Sequence, residues 1–326
     1  MSATPPAALA GAPPRSPRPY WQGDRLFRAT TRAAACGLLG LALAMGLLLT
    51  LAARPSIDAF GWRFLISSAW NPVTAQFGAL TAIVSTLLST AIALAVALPV
   101  ALGVALFLEE ICPAPLRSPF AMAIELLAAI PSIVYGMWGL FVLAPLMADH
   151  VQPALQATAG RLPLVGRLVA GPPMGIGMLT AGLVLGLMIL PFIASVSRDV
   201  LAMVPQALKE SAYGMGATPW EVVRDVMLPY GRQGLFAAGI LGLGRAIGET
   251  MAVTFVIGNA HRLSASLFAP GNSIASTLAN EFTEADGDLY FAALIELGLI
   301  LFVITFFILG ALQLWLRRLE RGQGGR

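Results

Sequence analysis

Charge is what this 326-residue sequence has least of: Asp, Glu, Lys and Arg make up 11% of it, against about a quarter in an ordinary soluble domain. With 57% apolar residues, that scarcity excludes a soluble globular domain and gives the composition of a membrane protein. Lysine is nearly missing. The single one, Lys209, follows Leu208, so the chain has no G-x-x-x-x-G-K-[ST] loop to cradle nucleotide phosphates. It is therefore not itself an ATPase, and energy for any transport comes from a separate ATPase or an ion gradient. Only two cysteines occur, Cys36 at the start of an apolar run and Cys112 in a loop, which argues against a disulfide framework or a metal site. The two histidines, His150 and His261, are isolated and read as ordinary loop residues. Alternation of period two is also missing, which excludes a transmembrane β-barrel.

What is present is a set of six continuous apolar runs, near residues 33–52, 77–108, 119–147, 174–197, 232–258 and 290–316. Each suffices for a helical crossing, which takes roughly 20 residues. The fold class expected is all-α integral membrane with six transmembrane helices. The second and third runs exceed one crossing, and Pro131 and Pro191 should kink the spans that hold them. The first run lacks a convincing cleavage site and reads as a retained helix. Residues 1–24, rich in Pro and Ala, form an expected disordered tail. The first helix and an outer loop then fill 25–76, the transmembrane domain 77–318, and a second tail 319–326.

With the N-terminus inside, fourteen of the 20 Lys and Arg residues fall on that side and five on the other, leaving Arg245 within a span. The positive-inside rule then makes both termini cytoplasmic. The net charge of +3 reflects topology rather than nucleic-acid binding. In the first outer loop, Phe60, Trp62, Phe64 and Trp70 read as an interfacial aromatic cluster. In the last, Glu281, Glu284, Asp286 and Asp288 read as a solvated face or a docking surface for a soluble partner.

The inner loop 198–231 mixes charge, Pro and Gly. A helix is predicted from Pro205 to Tyr213, a turn at Gly214 and Gly216, and a second helix entered at Pro219. Glu210, Ser211 and Ala212, then Gly216, then Val226, Leu228 and Pro229 resemble the Glu-Ala-Ala signature of permease subunits of ATP-binding cassette importers. Both spacings match, with serine and valine as conservative departures. That resemblance implies the type I importer (MetI-like) permease fold, and a short helix at these residues that docks in a groove of an ATPase subunit. Small residues at Ser211, Ala212 and Gly216 would permit close approach. Without the resemblance, a connector lying on the lipid surface explains such a loop equally well.

Arg245 and Glu249 stand four apart in the fifth run, beside Gly242, Gly244 and Gly248. A central charge costs about 2.5–3.5 kcal/mol on insertion scales, so such residues face a cavity or a partner. One helix face would hold both, and they can pair. The pair is either a structural lock between helices or a pathway for an oxyanion, which a guanidinium suits through its planar donors. The glycines either allow close packing or leave space beside the charges. Glu125 and Glu296 read as structural or interfacial. "GRAIGETMAVTFVIGN" (244–259) and "PSIVYGMWGLFVLAP" (131–145) resemble permeases of the high-affinity phosphate importer, PstC type. The resemblance implies Arg245 and Glu249 in the substrate pathway, a homologous permease (PstA type) as heterodimer partner, and two copies of an ATPase (PstB type). It further implies a periplasmic phosphate-binding protein (PstS type), no cofactor on this chain, and ATP with magnesium in the ATPase. An importer of another oxyanion or small organic substrate, or an ion-driven secondary transporter, remains open.

Overall fold

A computed structural model describes residues 22–162 and 165–323, and these are helical almost throughout. The long or functionally placed helices are α1 (Gln22–Ala52), α2 (Arg54–Phe60), α3 (Leu80–Ile111), α4 (Ala114–Ala128), α5 (Ser132–Arg161) and α6 (Met178–Ala202). They continue as α7 (Gln206–Gly214), α8 (Pro219–Ile247), α9 (Met251–Ile257), α10 (Ile274–Glu281) and α11 (Asp288–Gln323). Five helices are long and apolar enough to cross a membrane, and the bent pair α8–α9 makes a sixth candidate. The chain divides into two units, residues 1–48 and 49–326. The first holds most of α1, which begins well ahead of the predicted span and already includes Gln22–Asp24. The rest of the predicted N-terminal tail lies outside the described residues, as do residues 324–326 of the C-terminal one.

Within the second unit, α3 carries small residues at intervals of four, Thr81, Ser85, Ser89, Ala93, Ala97, Ala101 and Ala105, all buried. This stripe lets α6 approach closely. A Cβ on Gly182 would lie 2.5 Å from Ile92, and one on Gly186 3.1 Å from the Ala93 carbonyl. The same device seats α8 on α6, where a Cβ on Gly242 would meet Ile193 at 2.5 Å and one on Gly234 would meet Val200 at 2.6 Å. The main core fills the space among α3, α5, α6, α8 and α9.

Two predicted spans are interrupted. The third run is two helices, α4 and α5, separated at Ala129–Pro131. Proline disfavours helical geometry in the residue before it and lacks an N–H, so Pro131 starts a helix instead of kinking one. That helix extends to Arg161 through single-turn π widenings at Gly139–Leu143 and Met147–Val151, well past residue 147, where the predicted run ends. By contrast Pro191 sits buried inside an uninterrupted α6. The fifth run stops at Ile247, turns through 63° and resumes as α9.

At the end of the bundle away from α7, Phe60, Phe64, Phe77 and Trp70 pack with Tyr290 against α10 and α11. This corrects the reading of an interfacial cluster: Phe64 is fully buried, and only Trp62, 85% exposed, stands out as expected.

Candidate substrate pathway and coupling surface

Arg245 occupies the last turn of α8 and is exposed, while Glu249 lies just past the break and is half-buried. The two make no ion pair among the described residues. The i, i+4 relation needs a continuous helix, and this one ends at Gly248, so the expected pairing is absent. Instead the Glu249 Oε1 accepts a hydrogen bond from the Ala252 N–H at 3.3 Å, serving one of the free donors that begin α9. Of the nearby glycines, Gly242 packs on α6 and Gly244 faces Leu309 of α11 at 3.3 Å. Gly248 caps the end of α8.

The two stretches that resemble phosphate permeases meet here. A Cβ on Gly136 of α5 would lie 2.8 Å from the Phe255 ring and 3.0 Å from the Ala252 Cα, and one on Gly139 would lie 3.1 Å from Val256. Tyr135, one residue earlier, is buried in the main core. Its hydroxyl donates to the Leu127 carbonyl at 2.8 Å, which also accepts the Ile130 N–H at 3.3 Å where α4 ends. Along α8, Arg245 stands about 20 Å from Arg232, thirteen residues at the helical rise, which puts an exposed guanidinium well within a hydrocarbon thickness. An exposed cation at that depth requires water, an anion or a partner opposite it.

The signature residues sit on a compact turn. Gly216 has φ +88° and open space where a Cβ would point, so within this chain glycine supplies its conformation. Its N–H donates to the Tyr213 carbonyl at 2.9 Å and the Ala217 N–H to the Ala212 carbonyl at 3.1 Å, which closes α7 in a Schellman turn. One residue on, Thr218 and Glu221 form a capping box for α8. Backbone and side-chain hydrogen bonds from Thr218 hold the Glu221 carboxyl below its ordinary range. The sequence signal for that cap, "TPWE", went unread. Ala212, Val226 and Leu228 pack inward with Leu201, Val204 and Met227. Glu210, Ser211 and Pro229 stay exposed, as do Leu208, Met215 and Trp220. An apolar, outward-facing turn with a polar helix beside it is suited to a protein groove.

Lys209 and Tyr213 point the other way, to Glu110 at the end of α3: the Lys209 Nζ lies 3.3 Å from Glu110 Oε2, and the Tyr213 hydroxyl donates to Oε1. That bond to the carboxylate is the main reason the phenol is pushed up to about 12. Glu109 and Glu110 were not singled out in the sequence, although the "EE" closing an apolar run was the available sign. Glu125 is exposed and pairs with Arg198 at 3.2 Å. Glu296 is buried in α11 with its Oε2 unpartnered.

At the far end, Glu281 is not part of a solvated face. It accepts from Trp70 Nε1 at 2.7 Å and Tyr290 hydroxyl at 2.6 Å, and sits 2.8 Å from His261 Nε2. Burial pushes its carboxyl up, but His261, Tyr290 and Trp70 together outweigh this and leave it below the ordinary value. His261 is thereby a structural residue, stacked on Trp70 and bonded to Asn272, rather than an ordinary loop histidine. Glu284, Asp286 and Asp288 are exposed as expected, and so is His150, on a helix.

The profile of the family "Binding-protein-dependent transport system inner membrane component" matches residues 101–321. The phosphate transport system permease protein PstC of Mesorhizobium japonicum is 52% identical over 92% of this chain and 92% of that protein. That of Pasteurella multocida is 52% identical over 92% and 94%. PstC 2 of Mycobacterium tuberculosis is 40% identical over 89% and 91%. Among solved structures, a bacterial ABC transporter that imports the acidic polysaccharide alginate aligns at TM-score 0.54 and 14% identity, over 90% of this chain and 99% of that one. The same kind of transporter bound to an alginate-loaded periplasmic protein gives 0.57 and 15%, over 90% and 98%. These likenesses establish the type I importer permease fold, and a transport subunit rather than an enzyme. The chain therefore belongs to the inner membrane components of binding-protein-dependent transport systems and, within them, to the phosphate transport system permeases of PstC type.

Proposed function

We propose that this chain is one permease subunit of an ATP-driven, high-affinity importer of inorganic phosphate, with Arg245 meeting the anion in transit. The observation that carries the proposal is the exposed guanidinium at the broken end of α8, in a chain half identical to phosphate permeases. A fork of donors at that depth suits a tetrahedral oxyanion, and with Glu249 capping the Ala252 N–H at 3.3 Å, the guanidinium has no carboxylate partner among the described residues. Contact with the ion is weak and brief, since a carrier that holds its cargo tightly does not release it.

The complete transporter pairs this chain with a homologous PstA-type permease above two PstB-type ATPases, and a PstS-type periplasmic protein delivers phosphate. Both termini lie in the cytoplasm. This chain binds no cofactor, and ATP with magnesium is held by the ATPases. Those subunits grip the turn of Glu210, Ser211, Ala212 and Gly216 and, through Val226, Leu228 and Pro229 at the entry to α8, their closure switches the pore from outward to inward access.

The test is uptake of labelled phosphate in cells lacking the gene, complemented with wild type, Arg245→Gln or Arg245→Lys, with membrane abundance measured alongside. Loss of uptake in both variants at normal abundance is expected, because a point charge does not replace the fork. Normal uptake by Arg245→Gln would remove Arg245 from the pathway. Wild-type uptake suppressed more strongly by another oxyanion than by unlabelled phosphate would change the cargo and leave the ATPase docking in place.

A further inference from the structure

The last turn of α3 carries two adjacent carboxylates, and each is held by a different element. Glu109 takes Arg117 of α4, whose guanidinium donates to the Glu109 carbonyl at 2.9 Å and lies 3.8 Å from its Oε2. Glu110 takes α7: Lys209 and Tyr213, one helical turn apart, close on its two oxygens. The Lys209 and Glu110 side chains are only 9% and 10% exposed, beside a cleft of ≈ 530 Å³ that Arg117 and Gln206 also line. Glu210, the next residue, faces outward. α7 thus presents its signature on one side and is bolted to α3 on the other.

A buried ion pair is a poor stabiliser, because desolvation offsets most of the attraction and an apolar pair of similar size packs as well. What it adds is a fixed register between two helices. The register matters because α3, unlike the interrupted α4–α5 and α8–α9, runs unbroken to the other end of the bundle. There the Thr86 hydroxyl oxygen accepts the Ile274 N–H at 3.0 Å, which ties α3 to the start of α10. Thr86 and Glu110 stand about 36 Å apart along this one helix, which holds Pro99 between them and widens to a π turn at Phe107–Ile111.

We infer that Glu110 is a positioning residue for energy coupling: it receives the displacement of α7 through Lys209 and Tyr213 and passes it along α3 to the α10 segment at the opposite end. The inference rests on the importer reading above. It assigns to Glu110 and Lys209 no contact with phosphate or with the ATPase.

The experiment reconstitutes the assembled importer in liposomes and measures, for the same preparation, labelled phosphate taken up and ATP hydrolysed on addition of the loaded binding protein. The variants are Glu110→Gln, Lys209→Met, and the exchange Glu110→Lys with Lys209→Glu. The single variants should keep stimulated hydrolysis while phosphate moved per ATP falls about tenfold, and the exchange should recover much of the loss. Wild-type coupling in either single variant overturns the inference. So does a proportional fall of hydrolysis and uptake that the exchange does not repair, which marks a merely structural pair. Where Glu110→Gln fails to accumulate, the apolar double Glu110→Leu with Lys209→Met takes its place, and failure of both to accumulate also overturns it. A wild-type complex that hydrolyses ATP but moves no phosphate counts against the importer reading instead.

Discussion

The two interrupted helices of this bundle break by different chemistry. Between α4 and α5 the cause is covalent: Pro131 has no N–H and constrains Ile130, so the helix stops wherever the rest of the protein stands. Between α8 and α9 no proline is involved. Gly248 ends one helix, and Glu249 turns its carboxylate to the Ala252 N–H to begin the next. The first break is written into the backbone, whereas the second depends on a side chain that is also part of the proposed anion pathway. A proline break is permanent, but a capped break exchanges one set of hydrogen bonds for another, which suits a joint beside moving cargo.

Substitutions sharpen that contrast. The largest effect is expected at Gly136, where the two broken helices touch. Gly136→Leu drives a side chain into Phe255 and the Ala252 backbone, costing about 3 kcal/mol, the upper end for overpacking. Membrane accumulation and thermal unfolding in detergent report it, and an unshifted melting temperature would show that the contact gives way. Next come the hydrogen bonds at each break. Glu249→Ala leaves the Ala252 N–H without its acceptor, at about 1 kcal/mol, while Tyr135→Phe removes one of two donors to the Leu127 carbonyl, which keeps the Ile130 N–H, and costs about 0.5 kcal/mol. Glu249→Gln keeps an oxygen acceptor and should melt like wild type; melting like the alanine variant would mean that the charge, not the cap, holds the joint. The smallest effect lies far from both breaks, at Glu281. A carboxyl held below its ordinary value of 4.5 contributes stability that is present above that value and lost as pH falls through the lowered one. The difference in melting temperature between wild type and Glu281→Gln should therefore hold at neutral pH and shrink below about pH 4.5, and a constant difference would assign the effect to packing alone.

The same contrast explains what was legible. Hydropathy found the five helices long and apolar enough to cross and the bent pair that makes a candidate sixth, though the third, Ser132–Arg161, lies later than its predicted run, since burial in lipid needs only length and apolarity, and the signature in the 198–231 loop identified the class of permease. Hydropathy did not show that the third and fifth runs are interrupted. Glycine, glutamate and threonine at 248–250 carry no helix-breaking signal as strong as proline, and the apolar residues continue on both sides. The Arg245–Glu249 pairing failed for that reason: spacing is informative only along a continuous helix. The partnerships of Glu110 with Lys209 and of Glu281 with His261 span long sequence separations, and no local pattern reports those. The turn predicted at Gly214 and Gly216 was legible because glycine is the residue that takes a positive φ without strain, and Gly216 stands at φ +88°.

That turn has a consequence for how partners meet. The hydrogen bonds that shape it close between Ser211 and Val222, within this chain. The docking surface proposed for the ATPase is therefore preorganised, and in that reading little conformational entropy remains to be lost when the subunit arrives. Association then resembles the seating of a rigid plug more than the folding of a loop onto a partner.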